Sequence, residues 1–527
     1  MKRLKLLLIF ITIFELQAIS ANEYKISLEY DKINKNFKGE LFLSWRNFSN
    51  QNIYELPFHF LVDSTNSQIS YESIDKIECN VKIINNGFVL KFSKPIKPSA
   101  STEIHIKFET KKRLNYLDLG TGDYLLPTIQ FFDEKQFNPN FQLHSNYKVD
   151  IKIPTDYEIA TTGKIIQKEK INDSYLIHTE AKNVPTYGLV ISKDFRVKEI
   201  KTTSGILIRS LYFEGEEYWG QKIMDYAKNV IEFYIDTLGF YPQDQISLIP
   251  GETGSTSGGW PIFPNIVAIH RGGLRRSNAD SHAQWIIAHE IGHQYWGFNY
   301  ILDPTNYPQW FGISMGLYTD RLYVISRNIE QSYFWCFSDY IEGVVKGYNT
   351  TVMQSVNDLD KQKFDWNSII KHGKSFVILR MLAKEIGEDK FYEIFKYCLK
   401  NYKDVNVTLD LFQKTCEKIT EKDLEWFFKQ WYKTNDYLDY QIQSVETIQT
   451  GNKYKTICII NRKGNAYMTK IDIALKSTDS TTIIKNLDGK QKEIKITFDS
   501  DRLCEKILID PQNELPLINR KDWTITN

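Results

Sequence analysis

Hydrophobic period changes twice along this chain, and each change limits what the segment can fold into. From residue 22 to about 197, apolar and polar residues alternate in short runs at 24–30, 40–45, 89–92, 104–108, 147–154 and 158–163. Successive strand side chains point to opposite faces, so alternation predicts half-buried strands. Asn, Gly and Pro punctuate the runs at roughly 8–12-residue intervals, which predicts a sandwich-like all-β domain over 22–197. Near residue 200 the spacing becomes helical: Tyr218, Ile223, Ala227, Val230, Ile231, Tyr234 and Leu238 share a stripe, with Gly239 as the stop. Two short strands at 245–249 and 266–270 follow. The pattern is then helical to about 436, with helices predicted over 366–386, 389–400, 409–419 and 422–433. From 437 to 527 alternation returns at 455–460, 494–498 and 506–511, predicting a small C-terminal β-sandwich. The fold class is therefore multidomain, with a mixed, largely helical unit over 198–436 between two β units.

The chain opens with Lys2, Arg3 and Lys5, an apolar run over 6–14, and the small-residue stretch Ala18-Ile19-Ser20-Ala21. This predicts a signal peptide over 1–21, cut after Ala21, and an exported protein, secreted or periplasmic. No later stretch reaches about 18 apolar residues, so no membrane span is expected after cleavage. The 66 basic and 65 acidic residues nearly cancel, and nothing in that balance points to a nucleic-acid partner. Six cysteines are few for an exported chain of this size. Cys458 with Cys504 and Cys398 with Cys416 could each form a bridge, and free buried thiols fit the sequence equally well.

Chemistry concentrates in His289-Glu290-Ile291-Gly292-His293. On a helix, residues four apart share one face, so both imidazoles can point at one zinc ion, while Glu290 reaches past them without being a ligand. Ser281-His282-Ala283-Gln284 reads as a capping box at the start of that helix. The Gly/Ser-rich stretch 251–260 precedes it and is a candidate cleft rim. Zinc held by two histidines needs a further protein ligand and an open position; it lowers the pKa of a bound water to about 7. Glu290 then suits the role of general base, passing the proton to a leaving amine. Amide hydrolysis is the reaction that fits, with a peptide or protein as substrate.

The order β domain, H-E-x-x-H domain, helical tail and β-sandwich resembles the aminopeptidase N-like family of zinc peptidases. The local sequence is similar as well. His289 to Gly297 looks like that family's HE-x-x-HQ-W/F-x-G segment. Trp310 and Tyr318 keep the spacing of its W-L-x-E-G-x-x-x-Y helix. His372-Gly373 looks like its K-G pair, and 423–431 like its D-L-x-x-F-F-x-x-W ending. The resemblance implies a thermolysin-like catalytic domain with zinc on His289 and His293 and Glu290 as base.

Three positions depart from the family. Its third ligand, a Glu, falls on Gly312 by counting or on Ile313 by matching Trp310 and Tyr318, and neither side chain binds zinc. Its amine-binding Glu falls in 257–262, where no carboxylate stands. Its transition-state Tyr falls on Ile370. Asp320, about 10 Å further along the helix from Ile313, and Asp303 are weak candidates to complete the metal site. Glu252 is a candidate amine anchor and His372 a candidate oxyanion donor. Two readings follow: a zinc peptidase with an altered site, or a non-catalytic exported relative that binds peptide or protein in the same cleft. The sequence does not set the oligomeric state.

Overall fold

A computed structural model describes residues 22–524 except 61–68, 74–77, 85–86, 111–125, 130–131, 134–135, 138–143, 252–257, 298–299, 303–309, 330–332, 404 and 406. The expected signal peptide, Glu252 and Asp303 lie outside the described residues.

The alternating N-terminal runs form a seven-stranded sheet in the order Lys164–Ile171, Ser174–Val184, Ser145–Pro154, Asn22–Asp31, Asn36–Arg46, Ser101–Glu109, Ile69–Ser73. Tyr24, Ile26 and Leu28 point inward while Lys25, Ser27 and Glu29 are exposed. Their strand runs parallel to Ser145–Pro154 in a register that sets Tyr24 opposite Tyr147, Ile26 opposite Val149 and Leu28 opposite Ile151. The two tyrosine rings stack at 4.6 Å. A four-stranded sheet (Cys79–Ile84, Gly87–Ile96, Ile53–His59, Thr128–Ile129) supplies Leu56, Phe58, Phe88 and Leu90 to the same core.

A five-stranded sheet stands between this β core and the helices. Its order is Phe195–Lys201, Leu207–Phe213, Gln245–Pro250, Ile266–Ile269, Gly259–Phe263. Every residue of Gln245–Pro250 is buried, as a central parallel strand covered on both faces requires. Pleat alternation sends Ile249, Ile266 and Ala268 into the N-terminal β core. It sends Ile246, Leu248, Val267 and Ile269 into the helical core. The sheet is thus one wall shared by two cores.

The helices are α1 (Glu217–Leu238), α2 (Ala279–Gly292), α3 (Trp310–Ser326), α4 (Phe334–Val345), α5 (Val356–Asp360), α6 (Ser375–Ile386), α7 (Glu388–Asn401), α8 (Leu409–Thr420) and α9 (Glu425–Lys433). Helix α1 is the crossover between the parallel strands Leu207–Phe213 and Gln245–Pro250. It ends at Gly239, whose φ of 95° and N–H bond to the Ile235 carbonyl close the last turn. Beyond α9, a three-stranded and a four-stranded sheet complete the chain. Lys384 of α6 ties the second of these to the helices through Asp472 at 3.2 Å and Glu514 at 2.6 Å.

Three local expectations shift. Helix α2 begins at Ala279, so Ser281 lies in its first turn and not at its cap; Asn278 holds the cap position without a side-chain bond. The stretch read as a Gly/Ser-rich loop contains the strand Gly259–Phe263, folded back on Ile266–Ile269 through Asn265 at a φ of 65°. The predicted helix 366–386 divides into a π-helical segment, Asn367–Lys374, and α6. All six cysteines are free thiols, and Cys398, Cys416, Cys458 and Cys504 are buried. Among the described residues no helix is long and apolar enough to cross a membrane.

Lys374 closes the π-helical segment with a wholly buried side chain. Its ammonium donates to Asn349 Oδ1 at 3.1 Å, to the Thr350 carbonyl at 2.6 Å and to the Thr434 carbonyl at 3.0 Å. Burial lowers its pKa from 10.5 to about 7, with Asp436 pulling upward. The unfolded chain therefore holds that proton more tightly, and the stability the residue adds is complete above pH 10.5 and declines as pH falls toward about 7. Lys374→Met removes the donor from three part-buried acceptors and is expected to destabilise the fold by about 2–4 kcal/mol in urea unfolding. The gap from wild type is expected to widen between about pH 7 and about pH 10.

Candidate functional site

Helix α2 enters its packing environment nearly from all sides: Ile286 to Gly292 are buried without interruption. Tyr234 of α1 donates to the Ala288 carbonyl at 2.8 Å, fixing the helix against the crossover. Just past its end, Gln294 accepts the Asn265 N–H at 2.9 Å, while Asn265 Nδ2 donates to the Thr162 carbonyl at 2.8 Å. One network thus joins the N-terminal β unit, the shared sheet and the end of α2.

His289 lies in the last turn of α2, and His293 is the helical residue that caps it, its N–H bonded to the His289 carbonyl at 3.2 Å. The two rings converge edge to edge, with Nε2 of each 3.2 Å apart. Two nitrogens bound tetrahedrally to one zinc stand about 3.3 Å apart at ordinary bond lengths. The separation of the two nitrogens is close to that spacing.

Asp320 of α3 is wholly buried and lies 2.7 Å from Nδ1 of His289, on the ring edge away from the convergence point. Tyr333 donates to its other oxygen. Asp320 therefore orients a histidine and is not its co-ligand, which replaces the expectation that it could complete a metal site. Gly312 and Ile313 contribute no donor either. A Cβ on Gly312 would stand 2.8 Å from Gly297 Cα, and Ile313 belongs to the helical core. Among the described residues no group of three or more His, Cys, Asp or Glu side chains is placed to hold a metal.

Glu290 is buried and its Oε2 has no hydrogen-bond partner among the described residues. Gly258 and Gly259 let the edge strand lie directly on this face of α2: a Cβ on Gly258 would strike Ile286, and one on Gly259 would stand 3.3 Å from Glu290 Cγ. The stretch read as a rim is therefore in contact with the candidate base.

Electrostatics separate the three groups. Burial opposes charge on His289, but the hydrogen bond to Asp320 and the charges of Glu290 and Asp320 overcome it and raise its pKa. Burial, then the charge of His289, hold His293 well below the ordinary imidazole value. Burial raises Glu290 to about 7, with His289 and Lys371 opposing and Asp320 adding to the rise. A carboxylate near 7 can both take and return a proton at neutral pH.

The π-helical segment supplies a group the sequence reading passed over. Ile370 is fully buried hydrocarbon. His372 sets Nδ1 2.8 Å from the Asn367 carbonyl and its ring 5.9 Å from Trp335. Burial and the neighbouring Lys371 lower its pKa to about 4, so it is neutral. A carbonyl only accepts, so the one N–H of neutral His372 is spent on Asn367, and its Nε2 cannot donate to an oxyanion. This corrects the role expected for His372. Lys371 between them is half-buried, and its charge is a lesser influence that lowers the pKa of His289, Glu290 and His293 as well as that of His372. The signal was available in Ile370-Lys371-His372-Gly373, a cation one residue from the two positions that were weighed.

No protein-family model matches the chain. It is 22% identical over 453 residues to "Probable aminopeptidase 2" of Sulfurisphaera tokodaii, a likeness covering 80% of this chain and 54% of that protein. It is 21% identical over 523 residues to "Aminopeptidase 2" of Candida albicans, covering 91% of this chain and 54% of that protein. The chain thus spans about half the length of these curated relatives. These distant likenesses support an aminopeptidase-like family for this chain.

Proposed function

We propose that the chain is a zinc-dependent metallopeptidase that hydrolyses peptide bonds, with His289 and His293 holding the metal and Glu290 as general base. One observation carries the reading: two buried imidazoles converge at 3.2 Å while a buried carboxylate stands behind one of them. Such a pair has no packing purpose, because hydrocarbon fills a core at lower cost in desolvation. The partnerless Glu290 beside it and the aminopeptidase names of the distant relatives support the same reading. Zinc, when bound, supplies Lewis acidity, acidifying water and polarising a carbonyl. Asp320 keeps the His289 proton on Nδ1 and so leaves Nε2 as a lone pair. Glu290 takes a proton from the attacking water and returns it to the amine nitrogen as the C–N bond breaks, leaving an acid and an amine.

The absence of a third donor among the described residues favours a second reading, a non-catalytic protein that binds peptide in the cleft. Metal analysis separates the two. The peptidase reading expects about one equivalent of zinc, lost in His289→Ala and in His293→Ala. Asp320→Asn is expected to weaken zinc about 10–100-fold in a chelator competition. Glu290→Gln should keep zinc and lose about 10²–10⁴-fold in turnover. Wild-type protein that stays metal-free after zinc supplementation overturns the peptidase reading and leaves the binding one.

Two more outcomes follow from the altered positions. With no carboxylate among the described residues at the expected amine anchor, N-blocked and free-amine peptides should be cleaved at similar rates. Gly312→Ala should lower stability by about 1–3 kcal/mol in urea unfolding, since its Cβ would meet Gly297 Cα at 2.8 Å.

A further inference from the structure

A cavity of about 110 Å³ lies where α1 crosses the end of the five-stranded sheet, and none of its lining residues belongs to the imidazole centre. Its floor is Leu211, Leu248 and Ile269, which stand at the carboxyl ends of the three parallel strands Leu207–Phe213, Gln245–Pro250 and Ile266–Ile269. Trp219 and Ile223 of α1 form one wall, and Leu274 of the turn Gly273–Arg275 forms another. The space persists because α1 is already in contact with the sheet at Gly220, where a Cβ would strike the ring of Tyr212. The helix therefore has no room to move in and close the gap. Open sheets with parallel strands take ligands in crevices outside the carboxyl ends of those strands, and this cavity is such a crevice.

Its mouth is charged and reaches solvent. Arg271 donates to Glu216 at 2.9 Å, and its guanidinium lies 4.8 Å from the centre of the Phe213 ring. That ion pair is part-exposed and cancels its own charge. Arg275 also lines the cavity, is exposed, and forms no hydrogen bond or ion pair with a described residue. Among the described lining residues the mouth thus carries two guanidiniums and one carboxylate, an excess of one positive charge over an apolar floor.

We propose that this cavity binds a small carboxylate bearing a branched aliphatic group. The hydrocarbon fills the space between α1 and the strand ends, and the carboxylate accepts hydrogen bonds from the guanidinium of Arg275. An unfilled apolar space costs stability because its lining atoms lack partners. An apolar cavity of about 150 Å³ admits benzene, so one of about 110 Å³ suits a group of isobutyl size. The excess charge selects a monoanion over a neutral or cationic molecule, and the planar fork of arginine matches a carboxylate. The site does not rest on the peptidase reading and needs no metal. Its occupant rests against the turn that leads into α2, where Gly273 packs on the ring of His282.

The test is calorimetry on the full chain without added metal, at low ionic strength, with isocaproate, its neutral amide isocaproamide and the cation isohexylamine. Isocaproate should bind with a Kd of about 1 mM or tighter. The amide should bind about 3–10-fold more weakly, and the amine more weakly still. Arg275→Gln should bring isocaproate down to the affinity of the amide and leave the amide unchanged. Ile223→Phe should fill the space and remove binding of both. If Ile223→Phe lowers the thermal midpoint, a crystal of wild type soaked with isocaproate replaces it, with density expected between Ile223 and Leu248. No saturable binding of isocaproate up to about 10 mM overturns the site. Equal affinity for acid and amide, or tighter binding of the amine, overturns the choice of a carboxylate. Isocaproate affinity unchanged in both variants, or density elsewhere in the crystal, overturns the location. Each result leaves the peptidase reading where metal analysis puts it.

Discussion

Asp320 and His289 meet at 2.7 Å with the carboxylate wholly removed from solvent, and the candidate site is arranged around that contact. Burial alone raises the pKa of Asp320 and would favour its neutral form, while His289 and Tyr333 oppose the rise. The pair persists because each group satisfies the other. Breaking such a buried pair typically costs about 3–5 kcal/mol, because the remaining partner is left uncompensated. The contact also decides chemistry. With the proton held on Nδ1, the Nε2 lone pair of His289 is turned toward Nε2 of His293, 3.2 Å away.

Scaffold and site are joined by the five-stranded sheet. Its alternation divides side chains between two cores, so a shift of one residue in register would exchange Ile246 and Leu248 with Ser247 and Ile249. Gly258 and the edge strand Gly259–Phe263 then lie against α2 at Ile286 and Glu290, one helical turn apart; a Cβ on Gly258 would strike Ile286, and one on Gly259 would strike the Ala268 carbonyl of the next strand. Glu290 is buried beside that strand, and its burial is the largest cause of the pKa near 7. The packing against α2 thus also sets the proton affinity of the proposed base.

Much of this was legible because it depends on local spacing. His289 and His293 share a face because a helix repeats every 3.6 residues, and Gly239 stops α1 because few residues adopt a positive φ. Other features were hidden for equally physical reasons. Glycines in 251–260 read as a loop, but Gly258 lets the backbone lie on α2 and Gly259 opens a strand. Ser281 had the composition of a cap, yet the helix starts two residues earlier. The position of Asp320 along its helix says nothing of which edge of an imidazole it meets. Residue type makes His372 a possible donor, and only its bond to Asn367 shows that its N–H is already used.

The sequence by itself determined the succession of β, helical and β units and the presence of two imidazoles and a carboxylate on one helical turn. Those follow from period and from i to i+4 geometry, which need no neighbours. Tertiary structure alone decided that Asp320 meets Nδ1 of His289, that Gly312 has no room for a side chain, and that the N–H of His372 is spent on the Asn367 carbonyl. Each of these depends on contacts between residues far apart in the chain or on the π-helical winding of one segment, and hydrophobic pattern carries no record of either.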